Sequence, residues 1–423
     1  MNDTNARKHL LAIYLTALDA VNGHKVVAAY LQKHPYNTPL ALIAIGKAAY
    51  QMATGAYEVL GNQITQALVI TKFGHLEKTF QPAYPMICLE AAHPVPDESS
   101  LVAGQTLLDF IHKLPPQLPV LTLTSGGASA LVEVLVPGIT LSNLQNVNQW
   151  LLGSGLPIHA MNQIRKSLSA IKGGHLATHL KNHPVLNLVI SDVPGDDLQI
   201  IGSGLLTCPA PLLLKQTVFP FSEKAEEKIN LPDWLQTLIA KAPLIAKSED
   251  FINIKQHLVA TPTLARQAGY KKAQYLGYAT TVNYDELIVG DAQSVGRTLA
   301  QQLISATPGI YIWSSETTVH LPEKPGQGGR CQHLALSAAC ELAGRNNVFL
   351  LAMGTDGNDG PCDVAGALVD GKTLERGNQK RLHAIQCLAT ADAGRFLTAS
   401  GDLMDTGPTG TNVMDILIGL KRI

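Results

Sequence analysis

Short, almost unbroken apolar runs recur along the chain, each ending abruptly in glycine or polar residues before a helix-like stretch. Leu40–Ile45 gives way to Gly46-Lys47-Ala48-Ala49, and Ala67–Ile70 to Thr71-Lys72-Phe73-Gly74-His75. Pro119–Leu123 gives way to Thr124-Ser125-Gly126-Gly127-Ala128-Ser129, and Leu186–Ile190 to Ser191-Asp192-Val193-Pro194-Gly195-Asp196-Asp197. Runs without alternation predict strands covered on both faces, hence parallel sheets with crossover helices and an α/β fold. Ahead of them, Leu10, Tyr14, Ala17 or Leu18, and Val21 fall at helical spacing and predict an amphipathic helix. The rhythm breaks between about Thr207 and Phe251. There Cys208-Pro209-Ala210-Pro211, a Lys/Glu-rich helical patch at 222–228 and Leu231-Pro232-Asp233-Trp234 predict an excursion into a second domain. It resumes with Ala265–Tyr270, a strand around 278–282, Gly309–Trp313 meeting Ser314-Ser315-Glu316, and Val348–Met353 meeting Gly354-Thr355-Asp356-Gly357. The expected division is 1–240 and 241–423, with the C-terminal tail packing back on a cleft between the two.

Length and charge narrow the class. The chain has 423 residues, 32 basic against 33 acidic, and a net charge of -1. Nothing in that balance suits a nucleic-acid face or a polybasic membrane binder. Only 15% of residues are charged and 46% are apolar, enough for large cores and for a subunit interface, so a homodimer is allowed. The six cysteines are scattered, with no C-x-x-C, which indicates reduced thiols rather than zinc or disulfides. With no uninterrupted apolar run of spanning length and no signal-like N-terminus, the expected location is cytoplasmic.

The chemistry-bearing residues concentrate in the loops that follow the strands, where open parallel sheets bind ligands. Lys47 follows a buried strand at a helix start, where its charge opposes the helix dipole and requires an anionic partner or a solvated outward rotamer. Ser125-Gly126-Gly127-Ala128-Ser129 resembles a phosphate-cradling turn, though it matches neither common nucleotide fingerprint. Gly326-Gln327-Gly328-Gly329-Arg330 offers flexible backbone and a guanidinium able to fork two phosphoryl oxygens. Two acidic loops carry Asp192, Asp196 and Asp197, and Asp356, Asp359 and Asp363. Such carboxylates suit magnesium held together with phosphates, or a proton taken from a hydroxyl. Arg165-Lys166 and Lys172-Gly173-Gly174 offer cations to an acid's carboxylate. Asp97 should cap the helix that begins at Glu98, and the hydroxyl-rich turn Thr406–Asn412, with Asp415 beyond it, should pack against a site.

In order along the chain, AIGKAA (44–49), TKFGH (71–75), HPVPDE (93–98), SGGASA (125–130), NQIRKSLSAIKGG (162–174), SDVPGDD (191–197), GTDGNDGP (354–361) and TGPTGTN (406–412) resemble the class II glycerate 2-kinases with a MOFRL-type C-terminal domain. The resemblance spans nearly the whole chain and is weakest from Ala210 to about Thr261. It implies a Rossmann-like N-terminal domain, a smaller α/β MOFRL-type domain, and an active site in the cleft between them. The implied reaction is ATP- and Mg²⁺-dependent phosphorylation of D-glycerate at its 2-hydroxyl. The implied catalytic residues are Lys47, Arg330 and Asp192. Substrate contacts fall on Ser125, Gly126, Gly127, Ala128, Ser129, Arg165, Lys172 and Glu316. Nucleotide contacts fall on Gly326, Gly328, Gly329, Asp356, Thr409, Thr411 and Asn412, and metal contacts on Asp192 and Asp197.

The chain departs from the family pattern at three places. Ser314-Ser315 stands where the family has Gly-Gly, Cys331-Gln332-His333 where it has Asn-Gln-Glu, and Leu205-Leu206 where it has Pro-Thr. These raise an altered substrate, or a noncatalytic hydroxy-acid binder, as an alternative. The name hydroxypyruvate reductase, often attached to this family, supplies another. It would require a G-x-G-x-x-G turn after a strand, which the sequence lacks.

Overall fold

The computed structural model describes residues 3–76, 86–156, 158–209, 231–243 and 246–423. The helical patch expected at 222–228 lies outside the described residues. Two compact units emerge, Val27–Val259 and a second assembled from the residues up to Val26 with Ala260–Ile423.

The first unit is built on a six-stranded sheet ordered β3-β2-β1-β4-β5-β6. Its strands are β1 (Leu40–Ile45), β2 (Ile64–Lys72), β3 (Met86–Ala91), β4 (Val120–Thr124), β5 (Val185–Ile190) and β6 (Ile254–Ala260). β1 to β5 pair in parallel. The central strands β1 and β4 are buried at every position, whereas the edge strands β3 and β6 carry exposed residues, as two-sided cover at the middle of a doubly wound sheet requires. The helix Glu98–His112 begins as the sequence predicts. Asp97 accepts the Ser99 amide at 2.8 Å in a capping box with Ser100.

The second unit has a seven-stranded sheet, β12-β11-β10-β13-β9-β7, with β8 also against β9. The strands are β7 (Thr281–Asn283), β8 (Ile288–Asp291), β9 (Gly309–Thr318), β10 (Val348–Gly354), β11 (Gly366–Asp370), β12 (Leu403–Met404) and β13 (Asp415–Lys421). Only β7 and β8 run parallel to β9; the β10–β11, β10–β13, β11–β12 and β13–β9 pairs are antiparallel. The expectation of a parallel sheet therefore fails here. The reason is that an unbroken apolar run reports cover on both faces, not strand direction. β10 is wholly buried and β13 buried up to Lys421. Helices Ala292–Ser305 and Arg330–Leu342 pack against this sheet, as do Asp3–Ala20 and Pro262–Tyr275.

The division expected at 240/241 differs from these units at both ends. The predicted N-terminal helix does form, over Asp3–Ala20, burying Ala6, Leu10, Ile13, Tyr14, Ala17 and Leu18. That face packs on helix Pro262–Tyr275 and on β10 and β13, so it belongs with the C-terminal residues. Residues 241–259 stay with the first sheet because β6 forms its edge.

Candidate active site

Between β1 and β4 the strand order of the first sheet reverses, and ligands of such sheets bind beyond the carboxyl ends of that pair. Two glycine turns meet there. The Ser125 amide donates to the Ile45 carbonyl at 3.0 Å, and the Lys47 amide to the Gly126 carbonyl at 2.9 Å. Helix Ala49–Leu60 has no cap from its own N-cap residue, Ala48. Instead the buried Ser125 Oγ accepts the Ala48 amide at 3.0 Å. Gly46 makes this close approach feasible. Its φ is 134°, and a Cβ there would stand 2.1 Å from Ser125 Oγ and 2.6 Å from Ser125 O. Gly46→Ala is therefore expected to destabilise the protein by roughly 3 kcal/mol or more through strain and overpacking. Urea unfolding measures this directly, and an unchanged midpoint would show that the turns are not interlocked.

The same turn gathers side chains around Lys47. A Cβ on Gly127 would come within 3.0 Å of His93 Cδ2 and 3.1 Å of Lys47 Cγ, so the lysine stem, the His93 ring and the Gly127 backbone meet. His75 Nδ1 donates to the Lys47 carbonyl at 3.2 Å. Both histidines sit inside the TKFGH and HPVPDE motifs, and position within a strand-end motif is the signal that marks them.

The loop after β5 rests on this turn. Ser203 Oγ and Ser129 Oγ share a hydrogen bond of 2.7 Å, and a Cβ on Gly202 would lie 3.2 Å from Ala128 Cβ. Asp192 is half-buried at the start of that loop. The exposed Asp197 accepts the Gln199 amide at 2.8 Å. Among the cations at 165–172, Lys166 reaches the loop, its Nζ donating to the Gln199 carbonyl at 2.8 Å. Burial lowers its pKa, opposed by the charge of Asp197. The two cations expected to meet substrate are engaged elsewhere. Arg165 bonds Asn148 at 2.9 Å and Asn162 at 3.2 Å. Lys172 is buried against Glu133 at 2.5 Å. Its ammonium neutralises a core carboxylate.

In the second unit Arg330 opens helix Arg330–Leu342 and lies between two carboxylates. Nε and Nη2 donate to Asp415 at 2.5 and 2.9 Å, and Nη1 pairs with Glu316 at 3.2 Å. Burial works against the guanidinium charge, but the Asp415 contact and then Glu316 more than offset it and raise its pKa. Glu316 lies within β9 rather than in a loop after it, since the strand runs on to Thr318. Register explains the pairing, because Asp415 begins β13 opposite Ser315. The sequence places Asp415 only as lying beyond the terminal turn; antiparallel pairing brings it to Arg330.

Gly326, Gly328 and Gly329 form a turn whose backbone packs too closely for side chains. A Cβ on Gly326 would meet Asp392 at 2.4 Å, and one on Gly329 would meet Asp359 at 2.3 Å. The hydroxyls at the C-terminal turn bind backbone. Thr409 Oγ1 donates to the Thr355 carbonyl at 2.5 Å, and the buried Thr411 donates to the Val21 carbonyl at 2.6 Å. Asp356 accepts the Asn358 amide at 3.1 Å, and Asn412 is buried. Thr409 and Thr411 thus brace the Gly354–Gly357 turn and the N-terminal segment. Among the described residues, no three His, Cys, Asp or Glu side chains cluster as a metal site, and no helix is long and apolar enough to cross a membrane.

These features define an α/β protein whose strand-end turns present a lysine in one unit and, in the other, an arginine clamped by two carboxylates. Comparison with known proteins narrows the class. A family model described as a domain of unknown function, DUF4147, matches residues 9–226, and the MOFRL family matches 309–415. The D-glycerate 2-kinase of Thermotoga maritima is 35% identical over 98% of each chain. The glycerate 2-kinase of Pyrococcus horikoshii is 32% identical over 90% of this chain and 86% of that one. A putative hydroxypyruvate reductase of Agrobacterium vitis is 34% identical over 98% and 94%. The crystal structure of the Thermotoga maritima glycerate kinase aligns with a TM-score of 0.81 at 34% identity, covering 99% of this chain and all of that one. The chain belongs to the glycerate 2-kinase family with a MOFRL C-terminal domain.

Proposed function

We propose that this chain is a glycerate 2-kinase, which moves the γ-phosphoryl group of ATP to the 2-hydroxyl of D-glycerate. The observation that carries the reading is the end-to-end match to a D-glycerate 2-kinase, 98% of both chains. In the reaction the 2-hydroxyl oxygen attacks the γ-phosphorus, the bond to the bridging oxygen of ADP breaks, and the hydroxyl proton leaves. Phosphoryl transfer of this kind needs positioning and charge neutralisation more than covalent chemistry. Lys47 and Arg330 supply positive charge to the transferring group. Asp192 takes the hydroxyl proton, and the Ser125–Ser129 turn anchors substrate or phosphate. Magnesium uses one or two carboxylates together with substrate phosphates, and Asp192 and Asp197 share one loop. When bound, the ion would neutralise phosphate charge.

The departures from the family pattern fall at buried positions. Leu205 and Leu206, Ser314 and Ser315, and Cys331, Gln332 and His333 are all buried. Among the described residues, the Ser314 and Ser315 hydroxyls and the Gln332 side-chain amide are buried without a hydrogen-bond partner. ADP release that requires both D-glycerate and Mg²⁺, with 2-phosphoglycerate as product, is the expected result. Oxidation of NADH by hydroxypyruvate without ATP consumption would overturn the reading, and binding of ATP and glycerate without turnover would point to a noncatalytic paralogue.

A further inference from the structure

The helix that presents Arg330 lacks the usual cap at its start. Its N-cap residue is Gly329, with no side chain to accept the first amides. A carboxylate from the loop after β10 does so instead. Asp359 Oδ1 accepts the Cys331 amide at 3.0 Å, and Oδ2 accepts the Gln332 amide at 2.8 Å. Asp359 is 3% exposed and is itself pinned by reciprocal backbone bonds of 3.3 Å with Cys362. The fit excludes any larger residue at 329, where a Cβ would overlap the Asp359 carboxylate at 2.3 Å. The next backbone step packs as closely, a Cβ on Gly360 standing 3.0 Å from Gly329 Cα.

We propose that Asp359 is a positioning residue for Arg330, holding the first turn of helix Arg330–Leu342 so that the guanidinium is fixed between Asp415 and Glu316. The proposal rests on the kinase reading only for the expectation that Arg330 sets turnover. Asp359 bonds two backbone amides rather than the guanidinium, and it acts through them. Burial pushes its pKa up to about 6, with the amides of Gln332 and Cys331 and the charge of Arg330 opposing and Asp415 reinforcing. Because the folded value lies above the unfolded one, the proton stabilises the fold below the unfolded value, and that contribution is gone once pH has risen through about 6. At neutral pH the two capping bonds are therefore made by a carboxylate whose charge burial disfavours. The charged and titratable groups facing it are Asp415 from β13 and Arg330 and Cys331 from the helix. His333, one turn further along that helix, has a pKa lowered by burial.

Asp359→Asn tests this. Its kcat should fall roughly 10- to 100-fold, the scale of a misplaced catalytic group. KM for both substrates should stay within about two-fold, the split expected when only transition-state contacts are lost, and thermal melting should stay near wild type. Wild-type kcat should decline as pH drops through about 6, and the variant should be flat across that range. A variant with wild-type kcat, or one whose loss follows its unfolded fraction, overturns positioning while leaving the kinase reading intact. A second readout needs no activity. With ¹⁵N-cysteine labelling, the Cys331 amide, one of six cysteine signals and identified by its loss in Cys331→Ser, should titrate near pH 6 in wild type and stay still in Asp359→Asn. A Cys331 amide shift that is the same at neutral pH in wild type and in Asp359→Asn overturns the proposal, since the carboxylate would then not hold that amide. That measurement decides the contact even when the wild-type chain turns over no glycerate.

Discussion

Lys47→Ala is expected to lower kcat by about two to three orders of magnitude, the usual cost of removing one preorganised charge from a transferring group. Its folding should be nearly unchanged. The contrast follows from where Lys47 sits. Its amide, not its side chain, joins the two turns at the end of β1 and β4, and the half-buried stem runs past Gly127 and His93. Alanine keeps the amide and the turn. Lys47 itself stands just before helix Ala49–Leu60, where positive charge disfavours the helix dipole. Steady-state kinetics beside a thermal melt makes the measurement, and a variant retaining more than half of wild-type kcat would remove Lys47 from the chemistry.

Arg330→Ala should lose activity on the same scale and, unlike Lys47→Ala, should also lose stability. The Asp415 side chain is 3% exposed and the Arg330 side chain 35%. Truncating the arginine therefore strands a buried carboxylate. Breaking a fully buried pair costs about 3–5 kcal/mol; the open side of the guanidinium admits solvent and brings the expectation to about 2–3 kcal/mol. Adding Asp415→Asn to the variant should restore most of the lost stability without restoring turnover. Chemical denaturation of the single and double variants measures the first effect, and the coupled kinase assay the second. If the double variant regained activity, the role of Arg330 would be to neutralise Asp415 and nothing more. Arg330→Lys should fold but remain slow, since one ammonium cannot bridge Asp415 and Glu316 in the manner of a planar fork.

Local pattern is enough for the strands of the first unit and for its turns. The apolar runs ending in Gly46-Lys47 and Ser125-Gly126-Gly127 name both strand and turn, and their adjacency follows from the doubly wound topology that parallel runs imply. Asp97 is readable as a cap because capping is a matter of three residues. What is not legible depends on pairing between distant segments. Glu316 reads as a loop residue because polar Ser314-Ser315 follows Trp313, yet β13 and β8 flank that stretch and extend the strand. Lys172 and Lys166 are alike in a string of letters; one meets Glu133 in the core and the other the Gln199 carbonyl. Asp359 is visible as one acid among three in its loop, but its target is two amides some thirty positions earlier. No spacing rule connects them.

The interleaving of the two units carries a consequence for synthesis. The chain leaves the second unit at Val26 and returns to it only at Ala260, so helix Asp3–Ala20 emerges from the ribosome more than two hundred residues ahead of its partners. Leu10, Ile13 and Tyr14, fully covered in the finished molecule, have nothing to pack against while the whole of the first sheet is being made. The nascent chain must carry an oily stripe through most of translation. A truncation that removes this helix as a dispensable leader would strip a wall from the C-terminal sheet instead.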